Sequence, residues 1–323
     1  MTDILLLIIG LVLIIGGANF LTDGASSLAG KCGIKPLIIG LTIVAFGTSA
    51  PELAVSISSS IKGNADIAMG NIVGSNILNI LLIGGMTALI KPLKISMSTL
   101  KYEIPFALFI SAILIFLCLD STIWNAATNS LSRIDGIILL VLFALFLRYT
   151  FWISKKREEK GINMNDDVLI KQRNTFLCIT FIIGGLAALV YGGQLFVESA
   201  SQIARHYHIS EAVIAITIVA LGTSLPELAT SIVAAIKGQH EIAVGNIIGS
   251  NIFNITLILG ASATINPLYI KGISTVDYIT MFTSVLVLYV FGLFWGDKEL
   301  KRIEGIGLLI LFVIYLAYLL IKA

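Results

Sequence analysis

The sequence predicts an all-α membrane protein of ten transmembrane helices, built as two inverted-topology repeats of five. Three observations carry that prediction: an apolar and charge-poor composition, ten apolar runs of spanning or near-spanning length, and a close internal repeat. Of 323 residues, 57% are hydrophobic and only 12% are charged, whereas an ordinary soluble domain has about 45–50% apolar and about 25% charged residues. A soluble protein is therefore excluded. Ten spans of about 20 residues would use roughly 200 residues, so the bilayer is the main solvent of this chain. The net charge of +2 and the absence of a basic arm exclude nucleic acid as a partner. Cys32, Cys118 and Cys178 have no metal-ligand spacing and read as packing residues.

The apolar runs begin near Ile4, Pro36, Ile67, Ile104, Ile137, Thr175, Ala212, Ile242, Tyr278 and Gly305. The first has no basic flank and no small-residue cleavage site, and so reads as a span rather than a removable signal. Basic residues near span ends are retained in the cytoplasm. Loops on one side hold 15 Lys and Arg and those on the other hold 5, with Arg148 inside the fifth span completing the 21. The richer side is assigned to the cytoplasm, which places both termini outside a multi-pass protein of the cell membrane. Residues 154–174, with six basic and four acidic side chains, form a hydrophilic cytoplasmic linker between a first repeat, 1–153, and a second, 175–323. Asn163, Asn165, Asp166 and Asp167 in that linker match no EF-hand spacing.

An offset of 175 aligns residues 42–80 with 217–255, identical at 27 of 39 positions. With five spans per copy, an odd number, the second copy enters the membrane from the opposite face. Inverted repeats with interrupted helices at matching positions are the architecture of secondary transporters, which hold their substrate near the midplane.

The interruption is Gly47-Thr48-Ser49-Ala50-Pro51-Glu52 in span 2, repeated as Gly222-Thr223-Ser224-Leu225-Pro226-Glu227 in span 7. A carboxylate at mid-span costs about 2.5–3.5 kcal/mol on insertion scales, so Glu52 and Glu227 call for a cation. Ala45, Thr48, Ser49, Glu52 and Ser56 share a helical face, as do Ala220, Thr223, Ser224, Glu227 and Ser231. Proline lacks an N–H and crowds the preceding turn, which frees carbonyls to act as ligands. The partner spans carry Gly70-Asn71-x-x-Gly74-Ser75-Asn76-x-x-Asn79 and Gly245-Asn246-x-x-Gly249-Ser250-Asn251-x-x-Asn254. Their glycines permit close helix approach. Ser75, Asn79, Ser250 and Asn254 are expected to face the glutamates, whereas Asn71, Asn76, Asn246 and Asn251 suit interhelical hydrogen bonding equally well. All of these donors are hard oxygens with no His or Cys among them, which suits calcium or several sodium ions rather than zinc, copper or iron.

At these two motifs the chain resembles the sodium/calcium exchanger family of the calcium:cation antiporter superfamily, over nearly its whole length. The resemblance implies a core transporter of prokaryotic type that exchanges sodium for calcium, with spans 1 and 6 sliding across the core. Calcium would bind Glu52 and Glu227 with the backbone carbonyls of Thr48 and Thr223. Sodium would bind Ala45, Ser49, Glu52 and Ser75 on one side and Ala220, Ser224, Glu227 and Ser250 on the other. Asn79 and Asn254 line the same or shared sites. Many members have an aspartate where this chain has Asn254, so a negative charge is missing from the centre, which bears on sodium stoichiometry and any potassium requirement. The linker is too short for the calcium-sensing domains of large eukaryotic members.

Asp23 and Glu198 also pair at the offset and could guide cations, although they are better explained as interfacial carboxylates meeting water. Asp66 and Glu241 begin spans 3 and 8, where they would offset the helix dipole. The sequence thus points to a monomeric sodium/calcium antiporter whose ligands are its transported ions. It needs no cofactor and has no catalytic residues. A proton-coupled antiporter is the alternative, since both glutamates could carry protons. A passive cation channel is less favoured, because channels more often assemble around a symmetry axis. An enzyme is disfavoured by the lack of a Ser/His/Asp set, a metal cluster or a phosphate loop.

Overall fold

A computed structural model describes residues 2–119, 128–158, 174–207, 220–295 and 298–322. The described chain is helical throughout apart from two short strand pairs. Among the described residues, eight helices are long and apolar enough to cross a bilayer. They are α1 (Thr2–Cys32), α4 (Ala65–Ile90), α5 (Thr99–Cys118), α6 (Arg133–Glu158), α7 (Thr175–His206), α10 (His240–Ile265), α11 (Thr275–Phe294) and α12 (Arg302–Lys322). The second expected span is a broken pair, α2 (Pro36–Thr48) and α3 (Ala50–Ile61), bent by 50°. Of the seventh, the structure describes α8 (Ala220–Thr223) and α9 (Leu225–Ile236). Its expected start near Ala212 lies outside the described residues, as do Asn163, Asn165, Asp166 and Asp167. Apolar side chains such as Val12, Ile134, Ile183 and Val313 are exposed along α1, α6, α7 and α12, as lipid-facing positions should be. Most of α4 and nearly all of α10 are buried.

The chain divides into two compact units, and each draws on both halves of the sequence: Met1–Pro51 with Ile153–Asn246, and Glu52–Trp152 with Ile247–Ala323. In the first unit, α1 and α7 pack at glycines. A Cβ on Gly10 would meet the Gly192 oxygen at 2.9 Å, one on Gly17 the Gly185 oxygen at 2.7 Å, and one on Gly24 the Cys178 oxygen at 2.8 Å. One number rises as the other falls, so the two helices run antiparallel. Gly40 and Gly245 bring α2 and the start of α10 equally close, with Ile242 and Leu37 carbonyls at 2.8 Å from their notional Cβ positions. Small residues let membrane helices gain dispersion contacts that larger side chains would prevent.

In the second unit the same device joins α4 to α12 through Gly85 and Gly305, and α6 to α10 through Gly136 and Gly260. The strands β1 (Leu93–Lys94), β2 (Asn129–Leu131), β3 (Leu268–Ile270) and β4 (Glu299–Leu300) pair antiparallel, β1 with β4 and β2 with β3. Leu93 faces Leu300 and Leu131 faces Leu268, so a loop of one sequence half is tied to a loop of the other each time.

The carboxyl groups in the first turns of α4 and α10, Asp66 and Glu241, also bond across the chain. Asp66 Oδ1 accepts from the Lys271 and Gly272 N–H groups, both at 2.8 Å, and Glu241 Oε2 accepts from Leu37 N–H at 3.3 Å, where α2 begins. Asp23 forms an ion pair with Lys237 at 2.6 Å, and Lys237 also donates to the Asn19 carbonyl at 3.1 Å. Asp23 is therefore engaged in tying α1 to the end of α9. Cys118 and Cys178 are buried, in keeping with packing roles, but Cys32 is exposed at the end of α1.

Candidate cation site

The break in α2–α3 falls at Ser49, whose φ of −81° and ψ of 9° leave the helix. Ser224 takes nearly the same angles, −89° and 3°, between α8 and α9. Each serine stands two residues before a proline, so the loss of the proline N–H and the crowding of the preceding turn open the helix at the same step in both copies. Glu52 and Glu227 follow directly in the first turns of α3 and α9, and both are 1% exposed.

In the first unit, Glu227 lies among hydroxyl and amide groups. Ser49 Oγ donates to Glu227 Oε1 at 2.9 Å, joining a serine of the first copy to the glutamate of the second. Asn246 Nδ2 donates to the Glu227 backbone oxygen at 3.3 Å and to Ser231 Oγ at 3.0 Å, and its Oδ1 accepts from Thr48 Oγ1 at 3.0 Å. Ala45 and Thr48 are fully buried on α2. Thr223 Oγ1 is buried with no hydrogen-bond partner among the described residues. Ala220 opens α8.

In the second unit, Asn71 Nδ2 donates to the Glu52 backbone oxygen at 3.2 Å and to Ser56 Oγ at 3.0 Å. These bonds match those of Asn246 one for one at the offset of 175. Asn71 and Asn246 therefore brace the helices that carry the glutamates, a role left open between glue and ligand by spacing alone. Ser75, Asn79, Ser250 and Asn254 are all buried, from 0% to 2% exposed. Asn79 Oδ1, Ser250 Oγ and Asn254 Oδ1 have no hydrogen-bond partner among the described residues. An unmade hydrogen bond at a buried oxygen costs about 1–3 kcal/mol. Asn79, Ser250 and Asn254 belong to the same unit as the buried Glu52, and oxygens of this kind are the ligands that hard cations take.

Sequence spacing missed one feature. The straight α-helical pattern gives way to π-helical turns at Leu78–Gly84 in α4 and Asn254–Leu259 in α10. Both begin at or beside the central asparagines, and single π-turns inside helices are frequent at functional sites. The only sequence signal was indirect, since the asparagines already mark the turn they distort.

A profile of the family described as sodium/calcium exchanger protein matches residues 2–152 and 177–321. The putative antiporter CaxA of Alkalimonas amylolytica is 40% identical over 318 residues, 95% of each chain. The sodium/calcium exchanger MaX1 of Methanosarcina acetivorans is 34% identical over 348 residues, 98% of each chain. Among solved structures, the sodium-calcium exchanger NCX_Mj superposes with a TM-score of 0.82 at 30% identity, covering 98% of both chains. These relatives are membrane transporters rather than enzymes, and the repeated Gly-Thr-Ser-x-Pro-Glu and Gly-Asn-x-x-Gly-Ser-Asn segments lie inside the matched region. The chain belongs to the sodium/calcium exchanger family.

Proposed function

We propose that this protein is a secondary antiporter that exchanges sodium for calcium by alternating access, acting as a monomer. Calcium binds Glu52 and Glu227 with the backbone carbonyls of Thr48 and Thr223. Sodium occupies sites drawn from Ala45, Ser49, Ser75 and Asn79 in the first copy and from Ala220, Ser224, Ser250 and Asn254 in the second. The observation that carries this reading is the duplicated environment of the glutamates. Each is buried one residue after a proline break, and each backbone is held by an asparagine that also bonds a serine one turn on. A burial this costly, duplicated with its supporting bonds, fits a charge that is periodically neutralised by a transported ion.

Packing supports two inverted repeats of five spans, 1–153 and 175–323, joined by a cytoplasmic linker, 154–174. The helices α1 and α7, equivalent at the offset, run antiparallel, and β1 maps at the offset onto β3, each of which pairs with a strand of the other copy. An inverted pair supports alternating access because the two copies can trade conformations to expose the site on either face.

Reconstituted in liposomes loaded with sodium, the protein is expected to take up labelled calcium when diluted into sodium-free buffer. Uptake no greater than in a gradient-free control overturns the reading. Uptake driven by an outward proton gradient without sodium instead assigns the coupling to protons carried by Glu52 and Glu227. Flux that ignores every gradient marks a channel. The orientation is tested with Cys32, exposed at the end of α1 while Cys118 and Cys178 are buried. A membrane-impermeant maleimide is expected to label it in inside-out vesicles and not in intact cells, and labelling in intact cells reverses the assigned topology.

A further inference from the structure

A chain of side-chain amides in the second unit sets the direction in which Asn254 points. Asn76, Asn251 and Asn254 are 1%, 2% and 0% exposed. Asn76 Nδ2 donates to the Asn251 backbone oxygen at 3.5 Å and lies 3.9 Å from Met281 Sδ. With its nitrogen turned that way, Asn76 presents Oδ1 to Asn254 and accepts from Asn254 Nδ2 at 3.0 Å. The nitrogen of Asn254 is thereby engaged. Its Oδ1 is left buried with no hydrogen-bond partner among the described residues, at the residue where the π-helical turn begins. A carboxamide carries one oxygen and one nitrogen, and only the oxygen can bind a cation. A neighbour that fixes which end faces the site therefore controls whether the residue is a ligand at all.

The arrangement is not duplicated. Asn251 Nδ2 donates to the Asn76 backbone oxygen at 3.3 Å, the counterpart of the first bond. The second bond has no counterpart: Asn251 Oδ1 has no partner among the described residues, so Asn251 does not hold Asn79, the equivalent of Asn254. Asn76 holds one central asparagine, and Asn251 does not hold the other.

We propose that Asn76 is a positioning residue for cation binding, holding the Asn254 amide so that its oxygen is presented to the transported cation. The proposal rests on the reading above in which Asn254 is a cation ligand.

The test is calcium titration by calorimetry into the detergent-solubilised full chain in sodium-free buffer. Removing an outer-shell partner of a metal ligand typically weakens binding by about 10–100-fold, and Asn76→Ala is expected to lower calcium affinity by about tenfold. In an N254D background both outer atoms of residue 254 are oxygens and need no orienting, so adding N76A there is expected to change affinity by less than about twofold. An equal loss in both backgrounds shows that Asn76 acts through helix packing and overturns the proposal. Unchanged affinity in N76A alone also overturns it. Asn251→Ala, which keeps the backbone carbonyl that holds Asn76, is expected to have a smaller effect than N76A, and an equal or larger one overturns the proposal. Should N76A fail to fold, Asn76→Asp keeps an oxygen acceptor for the Asn254 amide and is expected to retain or raise affinity, and a loss overturns the proposal. Calcium binding that Glu52→Gln abolishes but N76A leaves intact refutes this inference alone, whereas no calcium binding by the unsubstituted chain refutes it together with the reading on which it rests.

Discussion

Glu227→Gln is expected to lower calcium affinity by at least about 100-fold, equivalent to about 2.7 kcal/mol, and to abolish calcium exchange in liposomes. The substitution is nearly isosteric and leaves an oxygen to accept from Ser49 Oγ, which stands 2.9 Å from Glu227 Oε1. What it removes is the charge. Two unit charges about 4 Å apart attract by about 4 kcal/mol at an effective dielectric of 20, and a divalent ion doubles that, so a hundredfold loss is a lower bound. Glu52→Gln is expected to behave alike, because Glu52 is equally buried at 1% exposure. The fold should survive both changes. A buried carboxylate without its cation is costly in a membrane, so the melting temperature without calcium should be unchanged or higher, while the calcium-induced rise in melting temperature disappears. Calcium binding retained in both variants would place the cation elsewhere.

That prediction was within reach of the sequence because its ingredients are local. A proline fixes where a helix opens, a glutamate beside it falls at mid-span, and a 27-of-39 repeat shows both features twice. The bond between Ser49 and Glu227 was out of reach, since helical periodicity groups Ser49 with Glu52 on its own helix and carries no information about which residue of the other copy faces it. The π-helical turns at Leu78–Gly84 and Asn254–Leu259 were hidden for a related reason. One extra residue in a turn shifts the hydrophobic phase by about a quarter of a turn, too little to notice in a run that is apolar on every side. Strands of two or three residues, such as Leu93–Lys94 and Asn129–Leu131, are shorter than any alternation needs to become visible. Asp66 shows a different limit. Its position at a helix start was legible, but it bonds Lys271 and Gly272 some 200 residues away, and no local rule encodes a partner at that distance.

Gly185→Ala is expected to destabilise the protein by about 1–3 kcal/mol, the usual range for forcing extra atoms into a filled contact, and to lower its melting temperature by several degrees. The adjacent Gly184→Ala is expected to be neutral or stabilising. Intrinsic helix propensity favours alanine over glycine by about 1 kcal/mol at both positions, so packing alone separates them. A Cβ on Gly185 would lie 2.6 Å from the Leu21 nitrogen and 2.8 Å from the Gly17 oxygen. Both are backbone atoms and cannot turn aside, so α1 and α7 would have to move apart. A Cβ on Gly184 meets nothing within 4 Å. Successive residues of a helix are about 100° apart, which turns Gly185 onto the facing helix and Gly184 away from it, although in sequence the two are an indistinguishable pair. The same contact recurs at Gly17, whose Cβ would meet the Gly185 oxygen at 2.7 Å. Gly17→Ala is therefore expected to match Gly185→Ala in size, while Gly16→Ala, with nothing within 4 Å, should match Gly184→Ala. Since Gly17 and Gly185 touch across one interface, their effects should not add: once either alanine has pushed the helices apart, the second has room, and the double variant should lose less than the sum. Additive losses would mean that the two glycines act separately, and the close antiparallel seam between α1 and α7 would have to be redrawn.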